Sequence, residues 1–392
     1  MKKKNKRNLT LISLISYFLT GSLITITGTI LGNLSKYFNV PIAKISTTFT
    51  FLNIGILISM LMSILTIEKI SIKTQLIISF LLTIFSIMNL FFCTKIQLFS
   101  VSMFIFGIVS GVTMSIGTYI ITNLYQGTQR GKKLLLTDSC FSLAGMIIPI
   151  ITTKIISHQY QWQWIYIIIG IIDCCIIIIA LNTNFEIKKI INQNEKKKQK
   201  LITCKVWINI FLISISAFLY ILGQLTLISW IPEYLMQTLN INIVQTGKII
   251  SIFWMFYMIG MWFFSFILKF FDLQKILVTL SGISSILIFT FIQFKNIYSL
   301  YINISLLGFF SSAIYTILIT LASLQTKLPS LKLINIILIS GTCGTVCTFI
   351  FTQPIIFIYG IKGALITGNI LYTMVFIINI IIGYTSKHKM NY

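Results

Sequence analysis

Residues 182–205, NTNFEIKKIINQNEKKKQKLITCK, decide how the rest of the chain is read. Apart from the two termini, this is the only long stretch without an apolar run, and it holds seven lysines. It cuts a chain of 392 residues almost in half. On either side, 1–181 and 206–392 are nearly continuous Ile, Leu, Phe, Thr, Ser and Gly. A basic polar segment between two such tracts predicts a cytoplasmic linker joining two membrane-embedded bundles.

Composition agrees. Hydrophobic residues make up 56% of the chain and charged residues 9%, against roughly 25% charged in a soluble domain. Apolar runs recur that are long enough to cross a hydrocarbon core of about 30 Å as helices. They are continuous rather than alternating, which excludes a transmembrane β-barrel. The first follows MKKKNKR directly and is too long, with no small-residue cleavage site after it, for a cleaved leader. Six runs are expected before the linker, near 9–31, 46–66, 76–93, 98–124, 134–156 and 162–181. Six more follow it, near 206–230, 246–268, 276–294, 298–323, 333–357 and 361–385. The predicted fold is all-α and integral to the membrane: twelve transmembrane helices in two pseudo-symmetric six-helix bundles.

The net charge of +23 looks at first like a nucleic-acid signal. The 28 lysines against two arginines, and many isoleucines against nine valines, instead fit the codon drift of an AT-rich genome. The position of the cations carries more information. With the N-terminus inside, 23 of the 30 Lys and Arg residues fall in inside segments, a strong positive-inside bias. The expectation is a multi-pass protein of a bacterial inner membrane with both termini cytoplasmic. Its partners are the lipid bilayer, a small solute and protons, with no nucleic acid, and it is taken as a monomer.

Features recur at an offset of about 200 residues, as expected when a transporter is built from two repeats. FGIVSGVTMSIG (106–117) lies over LGFFSSAIYTIL (307–318). The loop TIEKISIK (66–73) lies over KFFDLQK (269–275), and RGKKL (130–134) over PSLKL (329–333).

This layout resembles the major facilitator superfamily, with degenerate versions of its acid-and-base inside loops. From end to end the chain resembles the TsgA-type permeases. The stretches that carry the resemblance are TFTFLNIGILIS (48–59), GIVSGVTMSIGTYIIT (107–122), LLLTDSCFSLAGMIIP (134–149), YILGQLTLISWIPEY (220–234), FFDLQKIL (270–277) and GFFSSAIYTILITLASLQTKLPS (308–330). The resemblance implies a carrier near the fucose–proton symporter branch, lined by the first and fourth helix of each half. It supplies no substrate.

Substrate-cavity candidates are Tyr17, Thr20, Ser110, Tyr220, Gln224, Trp254, Tyr257, Ser312 and Tyr315. Tyr220 and Gln224 share a helix face, and a glutamine in the bilayer needs a partner. The small and polar stripes containing Ser13, Ser16 and Thr20, or Gly107, Gly111 and Thr118, read equally well as helix packing. Gating candidates are Asn33, Trp230, Arg130, Glu68 and Asp272. Trp230 and Tyr234 also suit an interfacial aromatic belt, and Pro232 is expected to end or bend its helix.

Carboxylates number only seven. Asp138, Glu233 and Asp173 are the proton-coupling candidates, in that order; Asp138 also reads as an acid near a helix N-terminus. Glu68 and Asp272 are expected to brace neighbouring helices against lysines. No Lys or Arg falls mid-helix, so a cationic clamp for anionic substrates is missing. No phosphate-binding GxxxxGK[ST] loop is present, and His158 and His388 are remote from any buried relay. Neither a metal nor a cofactor is expected. The seven cysteines imply no disulfide framework.

The expected function is secondary active transport by alternating access of a small neutral, zwitterionic or cationic solute, coupled to protons. The alternatives are an integral-membrane enzyme, which would need clustered acids or histidines at the membrane surface, and a permease-like sensor.

Overall fold

The computed structural model describes residues 3–125, 127–185, 204–267, 271–323, 325 and 331–387. Most of the lysine-rich segment, 186–203, lies outside them. So do the side chains of Glu68 and Arg130, two of the gating candidates. Every regular element among the described residues is helical.

Six helices precede the linker: α1 (Lys3–Phe38), α2 (Ile42–Lys69), α3 (Ile72–Phe91), α4 (Ile96–Leu124), α5 (Gly127–Ser157) and α6 (Trp164–Leu181). After it come α7 (Cys204–Thr238), α8 (Ile243–Ile267), α9 (Leu273–Gln293), α10 (Ile297–Ser311), α11 (Ile314–Ser323) and α12 (Leu331–Lys387). Eleven apolar stretches among the described residues are long enough to span a bilayer, and the last, Ile336–Gly383, runs for 48 residues. A helix of that length would extend about 70 Å, more than twice a hydrocarbon core. It breaks at Gly360, where φ is 69° and ψ −177°, a backbone region open essentially only to glycine. The break falls between the expected runs 333–357 and 361–385, so the eleventh stretch is two crossings and the total is twelve.

One expected run is interrupted. The tenth span, Ile297–Ala322, is broken at Ser312–Ala313 into α10 and α11. The Ser312 hydroxyl donates to the Phe309 carbonyl at 2.7 Å, and the Ser311 hydroxyl to the Gly308 carbonyl at 3.4 Å. Such back-bonding competes with the helical ladder and bends it. In the opposite sense, α7 does not end at Pro232 but continues to Thr238.

The loops before α3 and α9 carry helix caps. Ser71 accepts a bond from the Thr74 N–H at the start of α3. Asp272 accepts one from the Gln274 N–H at 2.9 Å at the start of α9. Asp272 is exposed and serves as an N-cap, which satisfies one of the orphan donors of a helix start.

The chain forms two compact units: Met1–Ile190 with Ile231–Trp254, and Ile191–Trp230 with Met255–Tyr392. Residues 231–254, the end of α7 and the start of α8, therefore pack with the first unit. In that unit α2 and α4 cross at a glycine pair. A Cβ on Gly55 would fall 3.0 Å from the Gly107 Cα, and one on Gly107 would meet the Leu52 carbonyl. Backbones in membrane helices approach this closely only over small residues.

Candidate functional site

In the first unit, α1 and α4 meet along a hydroxyl seam. The Tyr17 hydroxyl and Thr118 Oγ1 are 2.8 Å apart. The Ser110 hydroxyl donates to Thr20 Oγ1 at 2.8 Å, and Thr20 donates back to the Ser16 carbonyl at 3.2 Å. Tyr17, Thr20 and Ser110 are all buried. Their polar atoms are taken up in joining the two helices.

The three coupling candidates occupy different surroundings. Asp138, near the start of the α5 span, is exposed. Asp173 on α6 is fully enclosed and accepts a 2.5 Å bond from the Thr83 hydroxyl of α3. This ties a mid-membrane acid to a neighbour, which such a residue requires. Glu233 on α7 is also enclosed, with 1% of its surface exposed. Its Oε2 accepts from Gln237 Nε2 at 3.0 Å. Oε1 lies against the backbone of Gly32 on α1, where an added Cβ would come within 2.7 Å of it, and it has no hydrogen-bond partner among the described residues. Lys36, one turn further along α1, faces the same carboxylate.

Glu233 therefore meets α1 at Gly32, next in sequence to the gating candidate Asn33. Trp230 sits in the second unit, fully buried, and its indole N–H donates to Thr352 on α12 at 3.1 Å. It is not an interfacial belt residue. Trp254 packs its ring on Gly145 of α5 and edge-on against Phe141 at 5.5 Å.

The second unit gathers tyrosines from four segments. Tyr220 (α7) is completely buried and donates to the Ser311 carbonyl at 2.6 Å. Ser311 is the last residue of α10, beside the break before α11. Tyr220 is near-parallel to Tyr315 of α11, with ring centroids 6.4 Å apart, and inclined to Tyr372 of α12 at 5.4 Å. Its hydroxyl also lies within reach of the Tyr257 (α8) and Tyr372 hydroxyls. The Tyr315 hydroxyl points at Gly341, where a Cβ would collide with it. One turn beyond Tyr220, Gln224 is 4% exposed, and its Nε2 has no partner among the described residues. The structure thus brings together Tyr220, Gln224, Tyr257, Tyr315 and the Ser311–Ser312 break, and adds Tyr372. Sequence reading passed over Tyr372 because nothing in NILYTMVF (369–376) sets it apart from a packing tyrosine.

A family model described as Major Facilitator Superfamily matches residues 13–327. Relatives of nearly equal length are proteins called TsgA homologs. One from Buchnera aphidicola subsp. Baizongia pistaciae is 55% identical over 390 residues, covering 99% of each chain. Another, from Yersinia pseudotuberculosis, is 46% identical, covering 99% of this chain and 98% of its own.

The chain is a TsgA-type member of the major facilitator superfamily.

Among solved structures, the nucleoside transporter NupG matches 97% of this chain and 99% of its own with a TM-score of 0.72 at 15% identity. A D-xylose-proton symporter matches 95% and 97% with a TM-score of 0.75 at 13% identity. At those identities the likeness is one of fold. Membership of the superfamily makes this chain a multi-pass membrane protein and a secondary transporter of small molecules, and excludes the enzyme alternative.

Proposed function

We propose that this permease carries a small neutral, zwitterionic or cationic solute across the inner membrane in exchange for, or together with, protons. The observation that carries the substrate class is the cluster around Tyr220. It offers phenol hydroxyls, two serines and the unpartnered carboxamide of Gln224, and no lysine or arginine is among its described members. Neutral donors and acceptors of this kind orient uncharged or zwitterionic groups. Aromatic faces also favour cations over anions. Solute screening in proteoliposomes tests this reading. Uptake of a sugar-, amine- or amino-acid-like compound is expected, and a phosphorylated or dicarboxylate anion as the high-affinity substrate would overturn it.

The proposed orientation has both termini and the 182–205 linker in the cytoplasm, and the transporter acts as a monomer. Reporter fusions at Asn39, Gln193 and Asn391 check the orientation. Asn39 is expected to report outside and the other two inside; a reversed signal at any of them rules out the arrangement.

Proton coupling is assigned first to Asp138, then to Glu233 and Asp173. Asp138 is the exposed member of the three. A carrier site must exchange protons with water at some point in its cycle, and Asp138, near the start of the Leu136–Ser157 span, lies closer to a span end than Glu233 or Asp173.

A further inference from the structure

The beginning of α1 is held in a way that transport does not call for. The helix is 36 residues long, about 54 Å at 1.5 Å per residue, so it exceeds the hydrocarbon core by several turns. Its first turns carry Lys4, Lys6 and Arg7. Lys6 Nζ stands 4.3 Å from the ring centroid of Tyr125, the residue that closes α4. Lys133 Nζ of α5 stands 5.7 Å from the same centroid. The Tyr125 hydroxyl is 2.9 Å from Thr10 Oγ1. The same end of α1 is pinned a second time. Asn5 Nδ2 donates to the Asn184 carbonyl at 2.8 Å, and the Asn184 N–H donates to Asn5 Oδ1 at 2.9 Å.

Two ammonium groups are thus gathered on one aromatic ring, no further apart than those two centroid distances together. Each gains from the ring, but they repel each other, and among the described residues neither is paired with an acid. The chemistry that completes such a site is a single anion able to accept from both lysines. The site lies where α1, α4 and α5 reach the end of their apolar stretches, beside a tyrosine, a residue enriched at the headgroup level. The anion always at hand there is a phosphodiester on a phospholipid.

We propose that Lys6, Tyr125 and Lys133 form a binding site for the headgroup phosphate of an anionic phospholipid. The proposed orientation enters only through the choice of the cytoplasmic leaflet, so binding measured in detergent stands or falls separately from it. The lipid would add to the bonds that hold the start of α1 against the close of α4 and the first turns of α5.

The test is a thermal-shift titration of the purified full chain in detergent with short-chain phosphatidylglycerol, phosphatidylcholine or inorganic phosphate. Phosphatidylglycerol is expected to stabilise saturably and phosphatidylcholine far less. A lysine near an anionic surface contributes about fivefold in affinity, so Lys6→Gln with Lys133→Gln should weaken the phosphatidylglycerol response about 25-fold. Lys275→Gln with Lys295→Gln, placed elsewhere on the surface, should leave it unchanged. Equal responses to the two lipids, or an unweakened response in the Lys6/Lys133 variant, would overturn the site. Saturation by inorganic phosphate at the same concentration as the lipid would reject a lipid headgroup as its occupant. Should the double variant misfold, Tyr125→Phe and Tyr125→Leu decide the point: phenylalanine keeps the ring face and should retain binding, and leucine should not.

Discussion

Asparagine at position 138 is expected to abolish proton-driven accumulation while leaving counterflow exchange intact. The amide is nearly isosteric with the carboxylic acid but cannot bind and release a proton, so the substitution removes coupling with little change in shape. Asp138 is exposed, and among the described residues it has no ion-pair partner whose loss would complicate the result. For the solute found by screening, the steady-state ratio of inside to outside concentration should fall to about one under an imposed proton gradient. A tenfold gradient stores about 1.4 kcal/mol, which an uncoupled carrier cannot supply. Exchange of labelled for unlabelled solute needs no coupling and should continue near the wild-type rate. Accumulation at the wild-type level in Asp138→Asn would move the role to Glu233 or Asp173. Persistence in all three amide variants would leave a uniporter or a different coupling ion.

The number and placement of crossings were legible because the bilayer imposes them. Each apolar run must be about 20 residues long, and each interruption must carry its own charge or turn chemistry. That is why 333–357 and 361–385 flank Gly360, and why the loops before α3 and α9 hold Ser71 and Asp272 at helix starts. What the sequence did not reveal is rotation. In a soluble helix the apolar stripe marks the buried face. Here lipid-facing and inward-facing residues are both apolar, so Leu81 and Phe85 of α3 are exposed while Thr83 and Ser86 are enclosed. The partner of Asp173 could not be picked out for that reason. The tenth run likewise reads as one helix, because Ser311 and Ser312 resemble any other small polar pair. Only the break itself, between Ser311 and Ile314, shows where the ladder opens. Tyr220 was singled out as a cavity candidate, and its acceptor is a backbone carbonyl, which no residue pattern encodes.

The grouping of the end of α7 and the start of α8 with the first unit was not legible in the sequence. Residues 231–254 pack with the first unit through side chains whose partners are glycines: Glu233 on Gly32, Trp254 on Gly145, and Thr153 against Gly247. A glycine that receives a neighbour's side chain looks, in sequence, like one that merely eases helix packing. Its role emerges only once the incoming atom is located.

Gly32 carries the second large effect. Valine there is expected to lower the rate of transport at least tenfold, because its side chain would occupy the space now filled by the Glu233 carboxylate. Even a Cβ at position 32 would lie 2.7 Å from Glu233 Oε1 and 3.3 Å from Oε2, and the two γ-methyls of valine extend further. The carboxylate has little freedom to retreat, being enclosed and tied through Oε2 to Gln237. Overpacking of a close contact costs about 1–3 kcal/mol, and 1.4 kcal/mol already amounts to a tenfold change in an equilibrium. If the seating of α7 on α1 is one of the states through which the carrier cycles, that cost appears as a reduced population of that state. Cysteine labelling at Asn33 should then rise as transport falls. The decisive variant pairs Gly32→Val with Glu233→Ala, which empties the space the valine needs. Transport in the pair should recover to the level of Glu233→Ala alone. Unchanged transport in Gly32→Val would show that the contact is not part of the cycle, and failure of the pair to recover would trace the defect to α1 itself rather than to the carboxylate resting on it.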